Sequence, residues 1–156
     1  LERKPRPQAI VLGISSEGGS MEAAFYGYEI LRSLPVRVAT HNLGLVASAA
    51  NILFLAGDVR FAAPRTSFVF HETKFPVNAP STISQPELRL HMETIRNVDM
   101  RLALIAAERL NKSPKEIKRW FGEKLRDPQW ALDRGIVGEI RPLSIGNEDE
   151  FVQILV

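Results

Sequence analysis

The stretch Val36-Arg-Val-Ala-Thr-His-Asn-Leu-Gly-Leu-Val-Ala-Ser48-Ala-Ala-Asn-Ile-Leu-Phe-Leu-Ala56-Gly57 most constrains what this chain can fold into. Its first residues alternate apolar and polar around β-branched positions and predict a strand. From Ser48 the pattern becomes a nearly uncharged run of helix formers closed by Gly57, and a helix apolar on every side is normally buried. Gly44 precedes the junction, and its missing side chain lets another strand approach closely. A hydroxyl on the first turn of a buried helix faces a cleft beside backbone N–H groups that the helix leaves unpaired. Ser48 therefore has two readings at this point: a helix cap, or a nucleophile beside an oxyanion site.

At 156 residues the chain fits one domain, taken as 1–156, with enough length for a real core. Apolar residues at 45% and charged residues at 24% are ordinary for a globular protein. No apolar run reaches the roughly 18 residues of a membrane span. A net charge of +2 with interspersed signs gives no nucleic-acid surface. With no cysteine there are no thiol nucleophiles, disulfides or Cys-bound metals, which fits a reducing compartment, cytoplasm or organelle stroma or matrix. No cofactor motif is present; Gly18-Gly19 lacks the following Gly-Lys-Ser/Thr of a phosphate loop. The chain opens at Leu1 rather than Met, so N-terminal elements are expected to be missing.

In chain order, residues 1–8 read as an extended basic segment and 9–14 as a strand. Ser20 caps a helix carrying Met21, Ala24, Phe25, Tyr28 and Leu31, which Pro35 stops. Strand, helix, strand, helix implies right-handed crossovers and a mainly parallel sheet. Residues 61–63 and 66–71 read as two short strands hinged at Pro64, followed by a loop to Ile83. Ser84 and Glu87 have capping-box spacing and launch a long helix to about Asn111, with a stripe of Leu88, Met92, Ile95, Val98, Leu102 and Ile105. Ser113 starts a short helix ending near Gly122. Asp127-Pro128 starts another that stops at Gly135, and 136–140 is the last strand.

The glycine pair and Ser48 both follow strands, and ligand sites of parallel sheets gather at those ends. Backbone N–H groups of Gly19 and Ala49 are the expected oxyanion donors. A serine nucleophile needs a base. His71 closes an apolar strand before a loop, His41 lies a few residues before Ser48 at the expected end of its strand, and His91 sits among charges on the long helix. Placement favours His71 and leaves His41 open.

Ile14-Ser-Ser-Glu-Gly-Gly-Ser-Met21, Gly44-Leu-Val-Ala-Ser-Ala49 with Phe54-Leu-Ala-Gly57, and Arg60-Phe-Ala-Ala-Pro-Arg-Thr-Ser-Phe-Val-Phe-His71 resemble, in order, three segments of the ClpP serine peptidases. The helix from Ser84 resembles their handle helix, and Ala131-Leu-Asp-Arg-Gly-Ile-Val137 their closing motif. The resemblance implies an α/β fold of the ClpP/crotonase kind, with repeated β-β-α or βαβ units and a protruding handle at about 84–111. It implies Ser48 as nucleophile, His71 as base, and Gly19 and Ala49 as oxyanion donors. Counting back four residues from a cap at Asp127 gives Glu123 as the acid, with Asp127 itself the alternative. The implied activity is hydrolysis of peptides or unfolded proteins in homo-oligomeric stacked rings fed by an AAA+ unfoldase, without metal. The chain departs from the pattern at Glu17, where the family usually has Pro, at Glu72-Thr73, where it has Gln-Pro, and at the acid. Three other readings stay open: a crotonase-type acyl-CoA enzyme using Glu17 or Glu22, a Ser-Lys peptidase using Lys74, and a non-catalytic subunit.

Overall fold

The computed structural model describes residues 7–74 and 82–146. Most of the expected leading segment, residues 1–6, lies outside them, as do 75–81 of the expected loop. The chain runs β1 (Ala9–Ser16), α1 (Met21–Ser33), β2 (Arg37–Ala47), α2 (Ala50–Leu55), β3 (Val59–Ala62), β4 (Ser67–Val69), α3 (Gln85–Leu110), α4 (Pro114–Lys118), α5 (Pro128–Asp133) and β5 (Glu139–Ile140). The ladder is parallel throughout in the order β1-β2-β3-β5, with β4 on the far part of β2. This is the α/β architecture the alternating pattern predicts.

The caps explain the boundaries. Ser20 accepts the N–H of Ala23, and Ser84 and Glu87 close a reciprocal capping box on α3. Asn111 ends that helix at φ 52°, a left-handed conformation that Asn tolerates. Asp127 Oδ1 accepts the N–H of Trp130 at 2.7 Å, so this carboxylate is occupied as a helix cap. Several boundaries differ from the sequence reading: β1 runs on to Ser16, β3 spans Val59–Ala62, and β4 keeps only Ser67–Val69. The buried helix begins at Ala50 rather than Ser48, α4 stops at Lys118, and the last strand keeps only Glu139 and Ile140, with Ile136 and Val137 turned into the core.

One core packs Phe54, Phe68 and Phe70 with Ala103, Ala106, Trp120 and Ile136 between sheet and helices. Phe54 meets Phe68 edge-on at 5.2 Å, and Trp120 meets Trp130 at 5.5 Å. The short helix α2 sits in this core, so its terminal carbonyls need partners. Arg109 donates to Leu55 and Gly57, Arg32 to Ala56, and Arg60 to Gly57.

The predicted stripe on α3 is buried only in its second half. Leu102 is 2% exposed, while Leu88 and Met92 are 48% and 44% exposed. At 26 residues the helix is about 39 Å long, and its first half projects past the core.

His41 corrects another expectation. It does not end β2 but lies within it, and six further residues separate it from the strand's end, about 20 Å of extended chain. Its buried ring packs on Phe61, and Nε2 donates to the carbonyl of Arg141 at 2.9 Å. It is too far from Ser48 to serve as its base. Burial pushes the His41 imidazole below its ordinary value, more than its bond to Arg141 restores. The unfolded chain therefore takes up a proton near pH 6.5 that the folded chain resists. Stability should be intact above that pH and fall as pH drops below it. Urea unfolding at about pH 7.5 and about pH 5.5 should show a larger loss for wild type than for His41→Phe. Equal losses would remove His41 as the cause.

Candidate functional site

The open edge of the sheet is built where β2 changes partners. Residues 39–42 pair with β3, and 45–47 pair with β4. Asn42 stitches the change, its Nδ2 donating to the carbonyl of Ser67 and its Oδ1 accepting the N–H of Gly44. Gly44 has no room for a side chain, because a Cβ there would overlap Ser15 of β1. Three parallel strands therefore release their chains at one edge: β1 into Gly18-Gly19, β2 into Ser48, and β4 toward His71.

Ser48 has φ 53°, a left-handed conformation that is uncommon for serine. It is not the cap of α2; the N-cap is Ala49, which makes no side-chain cap bond. A residue held this way costs about 1–3 kcal/mol and persists only where its surroundings fix it. Here the N–H of Ser48 donates to Val69, and its carbonyl accepts from the backbone and the side chain of Asn51. Asn51 Nδ2 also donates to Val69 at 2.8 Å, tying the turn to β4. Sequence reasoning missed Asn51. The available signal was a lone amide in an otherwise apolar helix.

Gly18 and Gly19 adopt φ 107° and 142°. A Cβ on Gly18 would lie 2.7 Å from Ser48 Cβ and 3.0 Å from the Ala49 nitrogen, so only glycine lets this loop touch the serine turn. Among the described residues no acceptor takes the N–H of Gly19 or of Ala49. Two N–H groups without an acceptor among the described residues thus adjoin the serine turn, one on Ala49 next to Ser48 in the chain and one on Gly19 next to Gly18. Ser48 is half-buried.

His71 follows Phe70, whose ring is driven into the core. Its Nδ1 bonds the carbonyl of Glu72 at 2.6 Å. A carbonyl only accepts, so Nδ1 carries the proton and the neutral ring keeps its lone pair on Nε2. Among the described residues no hydrogen bond joins His71 to Ser48. Such bonds are often long before substrate binds.

Glu123 arrives because residues 122–126 run antiparallel to β4. Gly122 donates to Phe70, and Phe68 and Arg126 exchange both backbone bonds. Glu123 is exposed and ion-paired with Lys74. The Lys74 ammonium bonded to it holds its carboxyl below the ordinary value, and the His71 charge acts in the same sense. No bond joins Glu123 to His71 among the described residues. Lys74 is thereby committed to Glu123 rather than Ser48. Glu22 is paired with Arg101, and Glu17 is exposed. Among the described residues no cluster of three or more His, Asp or Glu side chains could hold a metal ion, and no helix is long and apolar enough to cross a membrane.

The sequence pattern of the Clp protease family matches residues 1–142. The ATP-dependent Clp protease proteolytic subunit 1 of Leifsonia xyli is 31% identical over 142 residues, covering 85% of this chain and 66% of its own. Subunit 3 of Streptomyces avermitilis is 27% identical, covering 88% and 62%. Subunit 2 of Treponema denticola is 26% identical, covering 76% and 58%. The chain thus spans about three fifths of the length of these curated relatives. A solved ClpP1 mutant from Listeria monocytogenes superposes with a TM-score of 0.72 at 25% identity, covering 91% of this chain and 77% of that one. A parallel sheet that gathers a glycine pair, a left-handed serine and a strand-end histidine at one edge, matched along nearly its whole length, belongs to the Clp protease family.

Proposed function

We propose that this chain is a serine endopeptidase subunit that hydrolyses peptides or unfolded proteins inside an oligomeric chamber. The observation that carries the reading is Ser48, held left-handed against the Gly18-Gly19 loop, with the N–H groups of Gly19 and Ala49 unclaimed among the described residues. In the cycle, Ser48 Oγ attacks the substrate carbonyl while its proton passes to His71 Nε2. The N–H groups of Gly19 and Ala49 take the oxyanion. The imidazolium then protonates the leaving amine, and water releases the acyl group by the same steps in reverse. Glu123 supplies negative charge beside the imidazole, shared with Lys74.

The handle presents Leu88, Leu90, Met92, Met100 and Leu104 to solvent. An apolar face of this kind fits contact between copies, and stacked rings fed by an AAA+ unfoldase are the assembly that the family implies. A non-catalytic subunit is the second reading, favoured by the Lys74 grip on Glu123.

Ser48→Ala should abolish cleavage of a fluorogenic peptide, with unfoldase supplied, and leave the fold unchanged. Undiminished cleavage would remove Ser48 as nucleophile, and inactive wild type would favour the non-catalytic reading. Glu123→Gln should slow cleavage by well under the roughly 10⁴-fold seen when a directly bonded triad acid is neutralised. Asp127→Asn should leave the rate unchanged, since Asn caps about as well as Asp. A large loss for Asp127→Asn alone would reverse the two roles. Light scattering at micromolar concentration should give a multiple of the chain mass, and a monomer would contradict the chamber.

A further inference from the structure

We propose that Asp99 on the long helix is a positioning residue for His71, acting through the Glu72–Thr73 peptide group. The inference rests on the reading of His71 as the base and adds a carboxylate to it. His71 Nδ1–H donates to the carbonyl of Glu72 at 2.6 Å, and the N–H of Thr73 donates to Asp99 Oδ1 at 2.8 Å. Those carbonyl and N–H groups are the two ends of one planar, resonance-coupled peptide unit. A carboxylate accepting at the N–H end pushes electron density toward the carbonyl oxygen, which makes it a better acceptor for the imidazole, as in any polarised hydrogen-bond chain.

The placement of Asp99 argues for a purpose. It is 8% exposed, on a helix face otherwise made of Leu102, Ala103, Ala106 and Ala107. A buried carboxylate is costly without a partner. Among the described residues no cation pairs with Asp99, and its partner is the Thr73 N–H. Of the helix arginines closest in sequence, Arg96 makes no ion pair with Asp99 among the described residues, and Arg101 is spent on Glu22 and lies over the Phe25 ring. Around the imidazole, Lys74 and Glu123 offset each other's charge, and the Glu72 side chain points into solvent. Among the described residues, Asp99 therefore supplies the negative charge behind Nδ1 that no paired cation offsets. When the Ser48 proton moves to Nε2, the Nδ1 proton stays shared with the Glu72 carbonyl, and the carboxylate beyond steadies the imidazolium. The peptide group takes the place of a directly bonded acid.

The test uses the full chain and three readouts. The first is the rate at which a fluorophosphonate modifies Ser48, followed by intact mass across pH. Asp99→Asn keeps an acceptor for the Thr73 N–H but removes the charge. It should slow labelling by about 10- to 100-fold, the loss typical when a partner that orients a metal-bound histidine from behind is removed, and move the acid limb of the profile to lower pH. The second is amide exchange at Thr73, which should stay protected in Asp99→Asn and lose protection in Asp99→Leu. The third needs no variant: ¹⁵N shifts of neutral His71 in wild type should report the proton on Nδ1. Labelling of Asp99→Asn at the wild-type rate and pH profile would overturn the relay and leave Asp99 as an anchor. A proton on Nε2 would overturn it as well. Wild type that takes no probe would overturn the peptidase reading itself, and the relay with it.

Discussion

The exchange of partners along β2 is the constraint on which the site depends. A strand paired with one neighbour for its whole length would carry Ser48 into an ordinary ladder position. Because β3 stops at Ala62 and β4 begins at Ser67, β2 needs a graft between them, and the Asn42 amide supplies it with one bond to Ser67 of β4 and one to Gly44 further along β2 itself. Beyond the graft, the β4 carbonyl at Val69 takes both the Ser48 N–H and the Asn51 side chain. The left-handed turn at Ser48 is thus enforced from two elements. Gly18 then packs against it where a Cβ would overlap the turn.

The electrostatics follow from the same framework. Residues 122–126 run along β4 because Phe68 and Phe70 expose their backbone groups there while their rings fill the core. That brings Glu123 to the imidazole, but at an exposed position where Lys74 reaches it first. A solvent-facing carboxylate shared with an ammonium is a weak support for an imidazolium. The buried carboxylate of Asp99 works in a lower dielectric and through oriented bonds, so its influence per charge is larger. In the proposed mechanism the two anions divide a task that a single acid performs when it bonds the histidine directly.

Much of this was legible in the sequence, for identifiable reasons. Caps at Ser20, Ser84 and Asp127 follow from local hydrogen-bond chemistry, and the structure keeps all three. Gly44 could be read as a close approach because no other residue fits one. The conformation of Ser48 could not be read, since Ser before Ala-Ala looks like a cap; the turn is imposed by Val69, 21 residues away. The stripe on α3 was overextended because helical periodicity continues where the core does not. Asp99 was invisible for a related reason: a carboxylate on a long helix reads as solvent-facing until the chain after His71 is seen to cross it. His41 was placed at the end of its strand, whereas β2 runs on for six more residues to Ala47.

The central claim is geometric: the sheet edge presents a serine and two backbone donors to one reacting carbonyl. A crystal structure with a peptide boronate tests it most directly, because a tetrahedral boron adduct mimics the attacked carbonyl. Boron bonded to Ser48 Oγ should carry one oxygen about 2.7–3.1 Å from the nitrogens of both Gly19 and Ala49, with His71 Nε2 on the second. An adduct elsewhere, or one at Ser48 whose oxygens both point away from those two nitrogens, would contradict the account.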